Sequence, residues 1–387
     1  MLRISESWIL FLFWTGLALG VRGVALVATH LYSLWAGFGG FYPLASGADD
    51  RFYFEVARRM AAGDWGEVSL PNAYPVFLAL FFKLVGPSLF LGKLLNVVLG
   101  ALGVGVGVLL AERLAPWSGP RWSLLRPANL AGITLSFYPS AVFYSTQLLK
   151  DPGVWFLGLL LLYVSLDLWK GFSWRVMLVF FGASLLLWAL RPYAVLAIWI
   201  ALGAFALFKR VRWEVVGALF LVALVAPWLL GWGVLGWNYL APLLSPEHLA
   251  RMREEVYGIG GSSLGLQLDP SHPLSFFLVW GYSFVTVWLG PFPWQVDAPL
   301  EAIAFFETVY ILPWIAPALV GLPRLWRPGP SEFLLIYALV LGAGIGLFSD
   351  NLGANTRLRL LVWAAILLYG ALHLGGRRAH PLPHHPR

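Results

Sequence analysis

Asp49 and Asp50 stand side by side just after the first apolar segment, in "SGADDRFYFEVARRMAAGDW" (Ser46 to Trp65). A carboxylate beside an acceptor hydroxyl can take its proton as a general base. Farther along, Lys150 and Asp151 form a second charged step before Pro152, and Arg191 precedes Pro192. "GANTRLRLLVWAAILL" brings Arg357 and Arg359 to the start of the last apolar run. Such cations can stabilise a leaving phosphate. Charges inside or beside membrane spans are costly, which makes each a candidate for function. Plainer roles compete with each one. Asp49 is a suitable helix cap. Asp151-Pro152 is a natural helix opening, and Arg191-Pro192 marks a tight turn. Arg22, Arg357 and Arg359 can snorkel to the interface.

The acidic pair opens a segment with helical periodicity. On a wheel over residues 50–62, Arg51, Glu55, Arg58 and Arg59 share one face, and Phe52, Tyr53, Val56, Ala57 and Met60 share the other. That pattern predicts an amphipathic helix lying in the membrane surface. Arg51–Glu55 and Glu55–Arg59 have the i,i+4 spacing of supporting ion pairs.

The chain has 387 residues, 59% hydrophobic and only 12% charged. Soluble domains carry about 25% charged residues, so this is an all-α polytopic membrane protein. Cysteine is absent, which excludes disulfides and thiolate metal sites. The net charge of +7 sits in short clusters between apolar runs. This is the pattern of membrane topology, and it points away from nucleic acid. The first apolar run has the length of a span and no small-residue cleavage site, so it is not read as a signal peptide.

About ten transmembrane helices are expected, at roughly 8–29, 88–111, 129–147, 153–169, 174–190, 193–208, 213–231, 301–320, 331–348 and 358–375. The basic clusters Arg113/Arg121/Arg126, Lys170/Arg175, Lys209/Arg210/Arg212, Arg324/Arg327 and Arg377/Arg378/Arg387 then all fall on the cytoplasmic side, with both termini. A first outer loop (30–87) and a second large one (232–300) face outside, and 376–387 is a cytoplasmic tail. The run 273–290 is expected in the interface or as a re-entrant element. Gly103 and Gly107 have a spacing that lets helices approach closely.

The ordered set of these features resembles the GT-C glycosyltransferases, in the family-39-like branch that includes protein O-mannosyltransferases and the aminoarabinose transferase of lipid A. The stretches that carry it are the acidic pair with "ARRMAAGDW" and the Pro/Tyr element "PNAYP", "FYPSAVFYSTQLLKDPGVWF", "PFPW" and "GANTRLRLL". The resemblance implies one GT-C-like transmembrane domain over 1–387, in the inner (plasma) membrane, with its active site on the extracytoplasmic face. It implies a polyprenyl-phosphate sugar donor and an extracytoplasmic acceptor that is a glycan, lipid or protein. Asp49 matches the catalytic base and Asp50 the second acid. Asp151, Lys150, Arg191, Arg357, Arg359, Tyr74 and His248 fall where substrate is bound. A divalent ion, Mg or Mn, is left open, with Asp49, Asp50 and Asp151 as the acids that would hold it. Three departures stand out. In the last outer loop Leu358 replaces the usual tyrosine and the usual proline is missing, and "PNAYP" lacks a lysine-proline element, which separates this chain from the lipid A branch.

The competing expectation is a transporter or flippase of lipid-linked sugars. Such a protein would show inverted repeats and helices broken at the midplane, and neither is evident in the sequence. A non-catalytic scaffold would not need charges gathered at one edge.

Overall fold

The computed structural model describes residues 5–42, 46–66, 70–169, 173–209, 245–257, 262–297 and 299–375. The expected span at 213–231, the basic residues Lys170, Arg210, Arg212, Arg377, Arg378 and Arg387, and the tail 376–387 lie outside the described residues. In chain order the helices are α1 (Glu6–Trp35), α2 (Ser46–Ala61), α3 (Tyr74–Val85), α4 (Leu89–Leu114), α5 (Pro127–Ser136), α6 (Pro139–Ser145), α7 (Asp151–Leu168), α8 (Trp174–Leu190) and α9 (Pro192–Lys209). After the undescribed stretch come α10 (Pro246–Met252), α11 (Pro273–Leu289), α12 (Pro299–Gly321), α13 (Glu332–Phe348), α14 (Leu352–Leu358) and α15 (Leu360–Gly375).

Among the described residues the regular elements are helical, and the extended pairing is an isolated bridge between Ser263 and Asn351. Among the described residues four helices are long and apolar enough to cross a membrane: α1, α4, α7 and the segment Glu301–Trp326. Helices α14 and α15, bent by 57°, make a fifth if they are one broken span. Helices α8, α9, α11 and α13 are apolar but shorter, with 16 or 17 residues in the apolar stretch. The chain divides into two compact units.

The first unit comprises Met1–Val164, Leu178–Arg191 and Ala371–Arg387. Within it α1 lies along α4, and α5 and α6 pack on both. Glycines in α4 allow the approach. A Cβ on Gly103 would run into Trp155 of α7, and one on Gly105 would meet Thr15 and Phe11 of α1. The opposite face of α1 exposes Leu12, Leu19, Val24, Val27 and Leu31, a surface suited to lipid.

The expected continuous span at 129–147 is broken between α5 and α6. Pro139 begins α6, and Tyr138 before it is extended, at φ −62° and ψ 111°. The residue before proline is driven out of the α region, so the helix must stop there. Its last carbonyls would be orphaned in an apolar interior. Arg22 answers them. Its guanidinium donates to the carbonyls of Leu135 and Ser136, each at 3.2 Å, and the side chain is fully buried. Arg22 therefore does not snorkel. A cation at a helix C-terminus also complements the macrodipole. Near the other end of these helices, Arg126 is buried in an ion network. It binds Glu112 at 2.5 and 3.0 Å and Glu6 at 2.6 Å.

Helix α2 begins at Ser46, so Asp49 lies in its first turn and is not its cap. The buried face carries Tyr53, Val56, Ala57 and Met60 as expected, but also Asp50; Phe52 is exposed instead. The expected i,i+4 pairs are not the ones formed. Glu55 binds Arg58 at 2.7 Å, one residue closer along the helix. Arg59 reaches Asp64 at 2.7 Å, because Gly63 at φ +93° turns the chain back over the helix end. Arg51 lies over the Phe41 ring.

The second unit comprises Ser165–Met177 and Pro192–Gly370. Helix α13 is its centre, flanked by α9 and α11. Trp169 stacks on Phe205 at 4.2 Å and meets Phe333 edge-on at 4.8 Å. The stretch "SPEHLARMREEV" is capped by Ser245, whose hydroxyl accepts from the His248 N–H at 3.3 Å. Its charges do not all face solvent. Arg253 is buried and donates to the Gly346 carbonyl at 2.8 Å, the Leu266 carbonyl at 3.0 Å and the Ser283 hydroxyl at 2.8 Å.

Candidate functional site

In the first unit, polar groups converge where α1 and α8 end and where α4 and α7 begin. Each arrives for a local reason. Asp50 rides on the buried face of α2, three residues before Tyr53 and seven before Ala57, so the turn of the helix that seats the apolar residues also drives this carboxylate inward. Lys93 and Asn96 are one turn apart on α4 and are both buried. Tyr74 opens α3, held by Pro75 in its first turn and by Asn72, whose side chain accepts from the Tyr74 N–H at 3.0 Å.

The contacts tie these elements together. One Asp50 oxygen accepts from the Leu148 N–H at 2.6 Å. The other faces the Lys93 ammonium at 3.5 Å. Lys93 also donates to the Gly40 carbonyl at 2.7 Å, beyond the end of α1. The Asn96 amide nitrogen bridges the carbonyls of Gln147 and Leu149 at 2.7 and 2.8 Å. Its oxygen accepts from the Tyr74 hydroxyl at 3.1 Å. The short connector between α6 and α7 is thus gripped at three successive residues. Helix α7 starts at Asp151, whose carboxylate takes a 2.6 Å bond from Arg191 just past α8.

Burial pushes the Tyr74 hydroxyl well above its ordinary titration range. The Asn96 contact opposes this, and the charges of Asp50 and Asp151 add to it. Tyr74 is therefore a neutral hydroxyl within the field of both acids.

Of the residues named from sequence, the first unit brings together Asp50, Asp151, Arg191 and Tyr74. Asp49 is half-buried on the first turn of α2, and Lys150 is half-buried immediately before α7. The pairing of Arg191 with Asp151 gives both a structural role that sequence did not disclose. Lys93, Asn96 and Gln147 were missed. The signal existed for the first two: a lysine and an asparagine three apart inside an apolar run is itself an intramembrane polar step.

The other candidates belong to the second unit and are described there alone. His248 is half-buried on α10. Arg357 is half-buried on α14. Arg359 is almost wholly buried at the bend between α14 and α15. Its guanidinium bonds to the Gly290 carbonyl, lies 3.7 Å from Glu307 and sits 3.6 Å over the Trp363 ring. This is a packing clamp, not a snorkelling side chain.

Among the described residues no group of three or more His, Asp or Glu side chains could hold a metal ion. Asp49, Asp50 and Asp151 do not form one, and the cation beside Asp50 is Lys93. Comparison with protein-family models, with curated proteins and with solved structures gives no match.

Proposed function

We propose that this protein is a membrane glycosyltransferase that moves a sugar from a polyprenyl-phosphate donor to a hydroxyl of an extracytoplasmic glycan, lipid or protein. In this reading it crosses the inner membrane about ten times with both termini in the cytoplasm, and the polar end of the first unit lies at the outer face. Asp49, half-buried in the first turn of α2, is the base. It takes the acceptor proton, the acceptor oxygen attacks the anomeric carbon, and the carbon–oxygen bond to phosphate breaks. The polyprenyl phosphate leaves with the bonding pair, and Lys150 supplies positive charge beside it. Asp50 does not react. Held by Leu148 and Lys93, it fixes the first turn of α2 and so the position of Asp49.

The observation that carries this reading is the gathering of Asp50, Lys93, Tyr74, Asn96, Asp151 and Arg191 at one end of the helices of the first unit. A lipid-anchored sugar phosphate is presented at such an edge, because its anchor stays in the bilayer. The test is transfer of labelled sugar by purified protein from synthetic polyprenyl-phosphate sugars to cell-envelope acceptors. Labelled product supports the reading, and no transfer with any donor counts against it.

A second reading, movement of lipid-linked sugars across the bilayer, gains one observation. The sequence showed no broken helices, yet breaks occur between α5 and α6 and between α14 and α15. Discontinuous helices line sites in transporters. Lipid movement in liposomes without any transfer would favour it.

A further inference from the structure

Gln147 stands in the connector between α6 and α7, inside the polar cluster, and it differs from its neighbours there. Ser145 and Thr146 spend their hydroxyls on the carbonyls of Ala141 and Phe143. The backbone of the connector is fixed by Asn96 and Asp50 at Gln147 itself and at the two residues after it. The Gln147 side chain is 1% exposed, yet both its amide nitrogen and its amide oxygen lack a hydrogen-bond partner. Buried side-chain amides are normally satisfied, and leaving both ends open is costly. Folding alone would be better served here by an apolar side chain of the same volume.

We propose that Gln147 is a ligand-reading residue, whose amide hydrogen-bonds a hydroxyl of the sugar headgroup of a lipid-linked substrate. This rests on the transferase reading for the identity of that ligand. A sugar hydroxyl both donates and accepts, and so it can answer the carbonyl and the NH₂ of a primary amide together. A phosphate oxygen can only accept. The amide therefore discriminates for the headgroup and not for the carrier phosphate. A site built to bond a hydroxyl rejects a ligand that lacks it, because its own polar atoms are then left open.

The experiment uses full-length protein in detergent and the variants Gln147→Met and Gln147→Leu. The probes are decyl phosphate carrying mannose, decyl phosphate carrying glucose, and decyl phosphate alone. Without ligand, both variants should unfold at a higher temperature than wild type, since an unanswered amide has been removed. With ligand, affinity for the better sugar probe should fall on the order of tenfold, while affinity for bare decyl phosphate should not change. Lower thermal stability in both variants would overturn the proposal, by making the amide a structural group satisfied by buried water. Unchanged sugar affinity in stable variants would overturn it and leave the transferase reading standing. A wild-type protein that binds neither sugar probe would sink both readings together.

Discussion

The Asp50–Lys93 pair offers the sharpest perturbation of the cluster. Both side chains are essentially removed from solvent, and their charged atoms are 3.5 Å apart. At an effective dielectric constant near 20, that separation corresponds to about 5 kcal/mol of attraction before desolvation is counted. Desolvation offsets much of it, so the pair as a whole contributes little net stability. Removing one partner is different, because the other charge stays buried. Asp50→Asn leaves the Lys93 ammonium with the Gly40 carbonyl but without its counter-charge, and Lys93→Met leaves a buried carboxylate on the Leu148 N–H. Each single variant should lose about 3–5 kcal/mol. The double variant should recover most of that, giving a coupling of a few kcal/mol. The assay is denaturant unfolding of the purified protein in a fixed detergent, followed by tryptophan fluorescence, for all four proteins of the cycle. Single variants as stable as wild type, or losses that simply add in the double variant, would refute the argument.

Three further outcomes can be measured. Arg359→Lys should be nearly as destabilising as Arg359→Ala in that assay, because an ammonium cannot both stack flat on Trp363 and reach Gly290; full rescue by lysine would mean that only the charge matters. Arg22→Met should cost about 1–3 kcal/mol by leaving the carbonyls of Leu135 and Ser136 without donors; a neutral effect would show that the break between α5 and α6 does not depend on Arg22. A topology reporter fused after Trp65 should read outside and one after Arg327 inside, since the basic clusters set orientation; a cytoplasmic Trp65 reporter would remove the geometry on which the proposed function stands.

Much of the helical framework was legible because apolar length and periodicity act locally. The positions of α1, α4 and α7 follow from residue order, as do Tyr53, Val56, Ala57 and Met60 on the buried face of α2. What was not legible depends on partners distant in sequence. Arg22 reads as an isolated intramembrane charge until the proline break 114 residues later supplies its carbonyls. Arg191 reads as a turn residue until Asp151, 40 positions earlier, is brought to it. Lys93 is 43 residues from the carboxylate it faces. Asp49 drew attention over Asp50 through a resemblance, whereas the helix phase decides which of two adjacent acids is buried. The ion pairs of α2 slipped from the expected spacing because Gly63 offers Arg59 a partner beyond the helix.

The central claim is that Asp49 removes the acceptor proton, and Asp49→Asn tests it most directly. The change is isosteric and sits in the first turn of α2, where a carboxylate contributes about 0.3–1 kcal/mol through the helix dipole. Folding should survive, and the variant's thermal unfolding should stay close to that of wild type. Asparagine cannot accept the proton, and loss of a general base lowers rate typically 10²–10⁴-fold. The measurement is the initial rate of sugar transfer at saturating polyprenyl-phosphate donor. The account predicts a fall on that order with the fold intact. Transfer by Asp49→Asn at the wild-type rate would contradict it and return Asp49 to the first turn of a surface helix.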